Sequence, residues 1–233
     1  RKGKPTSLLN GPFTQEGTAE IRDLFKSDVF TFPKPSELIK YLIGLIVNDS
    51  DEKDYFVLDI FAGSASTANA VLNLNYSDNG NRKFICIQLP EKTDEKSEAF
   101  KAGYKTISDL AIARISKSIT KIKNDLSEKI EKSKETLFDK THNESLIDLG
   151  FKVYKLSKSN FKIWDATLEK EPDLIQAKLF EHIQHISPEA EQEAILYELL
   201  LKSGFELTTP IEKLTLAGLS VFSIAEGQLL ICL

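Results

Sequence analysis

The chain has 233 residues, 41% of them hydrophobic and 28% charged, with 8 prolines and a formal net charge of −5. That composition excludes disordered and collagen-like chains, and no apolar run approaches the ~18 residues of a membrane span. Thirty basic against 35 acidic residues give no basic surplus of the kind that grips nucleic acid. Cys86 and Cys232 are too few for a disulfide framework or a four-thiolate zinc site, and their apolar runs (FICIQL, LLICL) predict buried thiols. The basic opening RKGKPTSLLN has no apolar stretch behind it, so it is no secretory signal, and a cytoplasmic location is expected. The chain contains no methionine and stops inside the strand-like run GQLLICL, which is expected of a piece cut from a longer polypeptide.

In chain order, residues 1–34 are weakly periodic, with six basic and four acidic side chains. A short helix is predicted at Thr18–Phe25, capped by Thr18. Pro33 and Pro35 hold the next stretch extended. Ser36 then caps a helix carrying Leu38, Ile39, Leu42, Ile43 and Ile46, closed by a polar loop at Asn48–Asp54. YFVLDIFAG reads as a buried strand, SASTANAVLNLN as the helix after it and KFICIQLP as a second buried strand. Strand, helix and strand over about 35 residues form a βαβ unit, which makes the class α/β.

Past Pro90, Ile107, Leu110, Ala111, Ile115, Ile119, Ile122, Leu126 and Ile130 step by three or four along one long helix. The pairs Asp125/Lys129 and Glu128/Lys132 lie on its solvated face. Composition shifts near His142–Gly150. FKVYKLSKSNFKIW alternates like a strand with one turn, and Ile175, Leu179, Ile183 and Ile186 mark a helix. Ser187-Pro188 starts another helix that stops at Gly204. Thr209-Pro-Ile-Glu212 matches a capping box, and SVFSIAEGQLLICL reads as a hairpin turning at Glu226-Gly227. These pieces predict a small α+β unit.

The segment Phe61-Ala-Gly63-Ser64-Ala65-Ser66 is the informative motif. A glycine turn after the first strand of a βαβ unit is where nucleotide-like ligands meet the backbone N–H groups of a helix start. A tight strand–helix turn also needs glycine for steric reasons alone, so both readings stand on this motif. No Gly-Lys-Ser/Thr follows it, which excludes a P-loop. Ala65 and Ala68 occupy the later glycine positions of a dinucleotide fingerprint, and no acidic residue ends the second strand, which disfavours a nicotinamide oxidoreductase. Glu181-His182-x-x-His185 spaces its histidines three apart where zinc proteases need four, so a surface pair and no metal site are expected.

Taken together, EGTAEIRDLF, PKPSELIKYL, LDIFAGSAST, DNGNRKFICIQLPE, GYKTISDLAIARI, GFKVYKLSKSNFKIW, ILYELLLKSG and LTTPIE form one ordered set. It resembles the modification (Mod) subunit of type III restriction–modification systems, S-adenosylmethionine-dependent DNA methyltransferases acting at adenine N6. The resemblance implies part of a Rossmann-like methyltransferase fold followed by a small α+β C-terminal domain. It divides the chain into a connecting segment (1–34), a cofactor-binding part (35–145) and a C-terminal domain (146–233) that could serve as a dimer or partner surface.

By the same resemblance, Asp59, Phe61, Ala62, Gly63 and Ser64 line the methionine and adenosine parts of S-adenosylmethionine. Gln88 stands where relatives hold the ribose with an acidic residue. Lys34, Pro35 and Ser36 close over the amino-acid end, with Lys34 facing a carboxylate, although without the neighbouring motifs Lys34 reads rather as a solvated turn residue. Ala65 replaces the family's second glycine, which adds a methyl group to the loop and disfavours a left-handed backbone. The family flips its adenine onto an Asp-Pro-Pro-Tyr-type loop, and no Pro-Pro pair occurs in this chain, so no catalytic residue is expected within it. The implied partners are DNA, a second copy of the protein and the restriction (Res) subunit, with no membrane. A different reading is a non-catalytic assembly module whose Ala65 loop no longer holds cofactor.

Overall fold

A computed structural model describes residues 8, 10–47, 52–135, 147–162 and 185–233, the side chains of 132–135 excepted. The molecule is a mixed α/β protein in two compact units, Arg1–Phe151 and Lys152–Leu233. The first holds α1 (Thr14–Phe25), α2 (Ser36–Val47), β1 (Phe56–Asp59), α3 (Ser66–Asp78), β2 (Lys83–Cys86), α4 (Glu98–Lys101) and α5 (Ile107–Glu135). β1 and β2 pair in parallel, Phe56 opposite Lys83 and Asp59 opposite Cys86, with α3 as the crossover between them. Among the described residues, no helix is long and apolar enough to cross a membrane.

The core follows from the periodicities. Ala65, Ala68 and Leu72 meet Ala111, Ile115, Ile119 and Ile122 of α5, with Phe84 and Cys86 of β2 packed against them. A second cluster joins Ile21 of α1 and Val29 to Ala99 and Leu110. α5 starts on a reciprocal cap: the Asp109 carboxylate accepts the Thr106 N–H (3.0 Å) and the Thr106 hydroxyl accepts the Asp109 N–H (3.1 Å). The loop after α3 is closed by Asn75, whose side-chain amide bonds both the N–H (3.1 Å) and the C=O (2.8 Å) of Arg82. The Arg82 guanidinium grips Asp78 and holds its carboxyl below the usual range.

Side chains alternate across the two strands. Val57, Asp59, Phe84 and Cys86 are half-buried, whereas Phe56, Leu58, Ile60, Ile85 and Ile87 stay 46–61% exposed on the opposite face. The continuous apolar runs thus read as strands buried on both faces, and in this chain one face is covered.

The second unit packs α6 (Gln192–Lys202) on an antiparallel sheet, β3 (Ile211–Leu216), β4 (Leu219–Ile224) and β5 (Leu229–Cys232), in the order β3-β4-β5. Leu196 and Leu200 of α6 meet Ile224 and Ile231, with Ile211, Phe222 and Leu229 alongside. The predicted hairpin turns at Ala225–Gly227, all three at positive φ.

Several expectations are corrected. α1 begins at Thr14, four residues before the predicted Thr18 cap, because the Glu16 carboxylate accepts the Phe13 N–H (2.9 Å) and holds the earlier turn. The capping-box pattern at Thr209–Glu212 starts no helix. Ile211–Leu216 is a strand paired residue by residue with β4 through a tight turn at Ala217 (φ 50°) and Gly218 (φ 82°). Residues 151–160 form no strand despite their alternation, and Val153, Tyr154 and Leu156 are exposed. α6 starts at Gln192, beyond the Ser187-Pro188 turn. Cys232 is exposed, since it lies on the sheet face that α6 does not cover. Most of the predicted helix over 175–186, with Glu181 and His182, falls outside the described residues; at its end Ile186 is not helical but bridges Phe161, and His185 stacks on the Phe161 ring.

Candidate functional site

The loop between β1 and α3 is built by its own side chains. At the end of β1, the Asp59 carboxylate accepts the Phe61 N–H (3.1 Å) and the Thr67 hydroxyl (2.5 Å), bracketing the turn from both sides. The strand pairing continues past β1 and β2 through the Ile87 N–H to the Asp59 C=O (2.8 Å) and the Ala62 N–H to the Ile87 C=O (3.1 Å). Gly63 (φ 53°) then donates its N–H to the Gln88 side-chain oxygen (2.7 Å). Ala65 adopts φ 57°, ψ 40° and is the residue from which α3 starts.

Lys34–Ser36 lie against this loop: the Ser66 hydroxyl donates to the Lys34 carbonyl (2.7 Å), and Pro35 and Ser36 are buried. Beneath the loop is Arg114 of α5, fully buried. One terminal guanidinium nitrogen, Nη1, donates to the Ser64 carbonyl (3.2 Å), the Ser64 hydroxyl (2.9 Å) and the Ser66 hydroxyl (2.8 Å), and the other terminal nitrogen, Nη2, to the Glu20 carboxylate (2.9 Å). Glu20, on α1, also accepts the Ser36 N–H (3.0 Å) and the Asn69 amide (3.4 Å). Burial lowers the Arg114 pKa, and the Glu20 charge works against that.

The ten residues named from the sequence therefore divide by orientation. Phe61, 80% exposed, and Lys34 present their side chains outward, and Gly63 and Gln88 are half-buried beside them. Ser64 turns its hydroxyl inward onto Arg114, and the Ala65 side chain packs in the core with Ala68, Leu72 and Ile115 rather than toward the loop's outer side. Ala62, Pro35 and Ser36 are scaffold, and both Asp59 oxygens are engaged within the loop. The sequence reading missed Glu20 and Arg114. A signal existed for the second: an arginine sits in the apolar stripe between Leu110/Ala111 and Ile115/Ser118, where a charged side chain must find a buried partner.

The loop leads into the N-terminus of α3, where first-turn N–H groups and the helix dipole favour electron-rich ligand atoms. Phe61 is exposed on the loop itself, and Lys34 and Gln88 are hydrogen-bonded to the loop through the Lys34 carbonyl and the Gln88 side-chain oxygen.

Residues 10–99, which contain the whole loop, match the DNA methylase family. The Mod subunit of the type III enzyme StyLTI from Salmonella typhimurium is 42% identical over 52% of this chain and 18% of its own length. The EcoPI Mod subunit of Escherichia phage P1 is 33% identical over 92% of the chain and 29% of its own length. The type II methyltransferase M.KpnI of Klebsiella pneumoniae is 37% identical over 44% of the chain and 24% of its own length. The chain thus spans less than a third of the length of these relatives. Over nine-tenths of its length it is a relative of the Mod subunits of type III restriction–modification enzymes, with the DNA methylase match on the segment that carries the loop.

Proposed function

We propose that the chain is the cofactor-binding part of an S-adenosylmethionine-dependent, Rossmann-like DNA adenine-N6 methyltransferase, the modification subunit of a type III system. The observation that carries this reading is the meeting of three separated segments, Lys34–Ser36, Asp59–Ser66 and Gln88, at one end of a parallel strand pair. When bound, the cofactor supplies an activated methyl group. Phe61 would hold the cofactor's adenine, Gln88 its ribose hydroxyls and Lys34 its carboxylate. Asp59 and the inward-turned Ser64 keep the loop in shape. The adenine-holding loop lies in the remainder of the parent protein, as do the main DNA contacts. Residues 146–233 then serve as the surface for a second copy or for the restriction subunit, in the cytoplasm.

A second reading, an assembly module that has lost the cofactor, draws on two observations. Ala65 sits in the left-handed region, and the Gln88 oxygen is already taken by Gly63. Calorimetric titration with S-adenosylhomocysteine decides between them, run beside Phe61→Ala, Lys34→Ala and Ala65→Gly. The methyltransferase reading expects saturable one-to-one binding that Phe61→Ala and Lys34→Ala weaken about tenfold each. Binding only by Ala65→Gly favours the assembly reading. Absence of binding in both wild type and Ala65→Gly overturns the cofactor site in this chain.

A further inference from the structure

We propose that Arg114, charge-paired with Glu20, is a positioning residue that sets the shape of the Gly63–Ser66 loop and so the geometry of the ligand site; the ligand part rests on the function proposed above. The loop runs through two left-handed residues, Gly63 (φ 53°) and Ala65 (φ 57°), and alanine adopts that region only under constraint. Arg114 supplies the constraint. It holds the Ser64 carbonyl and hydroxyl and the Ser66 hydroxyl, the groups on either side of Ala65.

A rigid fork is needed, because one planar group must reach two serines on one nitrogen and a carboxylate on the other. Glu20 anchors the fork and, by accepting the Ser36 N–H, fixes the Lys34–Ser36 turn relative to the same loop. Two of the three sequence segments that supply the candidate site, Lys34–Ser36 and the loop itself, are therefore referenced to one guanidinium. The arginine is fully enclosed and acts only through the groups it holds.

The test uses the full chain with Arg114→Lys, Arg114→Met and Ser66→Ala. Lysine keeps the charge next to Glu20 but cannot bridge both serines and the carboxylate. Ser66→Ala leaves the Arg114–Glu20 pair intact and covers the case in which an arginine variant fails to fold. Two readouts are taken. One is hydrogen exchange at the Gly63–Ser66 amides relative to those of Leu72 and Ile115. The other is the dissociation constant for S-adenosylhomocysteine.

The positioning role expects loop amides in Arg114→Lys and Ser66→Ala to exchange at least about tenfold faster relative to the core amides. Ligand affinity should fall by a similar factor, without rescue by lysine. Loop and core amides accelerating together, or lysine restoring wild-type values, overturns it and leaves Arg114 a plain stabilising residue. If wild type itself binds no S-adenosylhomocysteine, the proposed function fails. The exchange ratios alone then decide the positioning of the loop.

Discussion

Gly17 shows how one atom sets the entry to the candidate site. A Cβ built there would lie 2.2 Å from the Pro33 carbonyl oxygen and 2.9 Å from the Pro35 nitrogen, both backbone atoms that cannot swing aside. Gly17→Ala should therefore push α1 off the Pro-Lys-Pro turn and destabilise the first unit by about 1–3 kcal/mol, read as a lower denaturant midpoint. An unchanged midpoint would refute the close approach. In the sequence this residue weakens the helix signal of α1, which is why the predicted start falls after it. The two thiols separate just as cleanly. Burial, and then the nearby Asp59 charge, push the Cys86 thiol up to about 12, whereas Cys232 is exposed. With a disulfide reagent at pH 8, Cys232 should react at once and Cys86 only after unfolding; two equal fast phases would contradict that.

The strand–loop–helix–strand unit is legible in the sequence because its signals are local. β1 and β2 are short runs with aromatic and β-branched residues (Phe56, Val57, Phe84, Ile85), and α3 begins where small residues let it be buried from Ser66 through Leu72. β3 is not legible in this way. Its identity depends on pairing with β4, and an Ala-Gly turn at 217–218 carries less signal than the capping pattern before it. The segment at 152–160 fails for the opposite reason, since alternation without a ladder partner makes no strand. That segment is tied to α6 through Glu198, which accepts the Ser159 hydroxyl (2.5 Å), the Asn160 N–H (2.7 Å) and the Lys202 ammonium (2.9 Å). Desolvation raises the Glu198 pKa, but these hydrogen bonds prevail and bring it down to about 2 from 4.5. A depressed carboxylate contributes stability that is complete above its unfolded value and lost as pH falls toward the folded one. Hydrogen-exchange protection of α6 should therefore decline as pH drops from about 5 to 2. Glu198→Gln should start lower and show a shallower decline; identical pH profiles would rule the tether out.

On the scale of the whole molecule, the uncovered face of β1 and β2 is expected to govern behaviour in solution. Parallel sheets are ordinarily covered on both faces, and Phe56, Leu58, Ile60, Ile85 and Ile87 form an open apolar patch beside an unpaired edge of β1 among the described residues. The chain is expected to self-associate at roughly 100 µM in sedimentation, and the double variant Leu58→Lys/Ile87→Lys to remain monomeric. A wild-type monomer at that concentration that binds no hydrophobic dye would sink the expectation. The Glu20–Arg114 pair acts over a comparable reach, joining positions 94 residues apart, and that separation hid it from local sequence patterns. Its consequence is one of heredity. Loss of the carboxylate alone strands a guanidinium in the interior, and loss of the arginine alone strips a half-buried carboxylate and two serines of their common donor. Either step costs about 3–5 kcal/mol, much of a small protein's whole stability. Descendants of this chain should keep both residues or exchange both, so positions 20 and 114 form a single unit of inheritance.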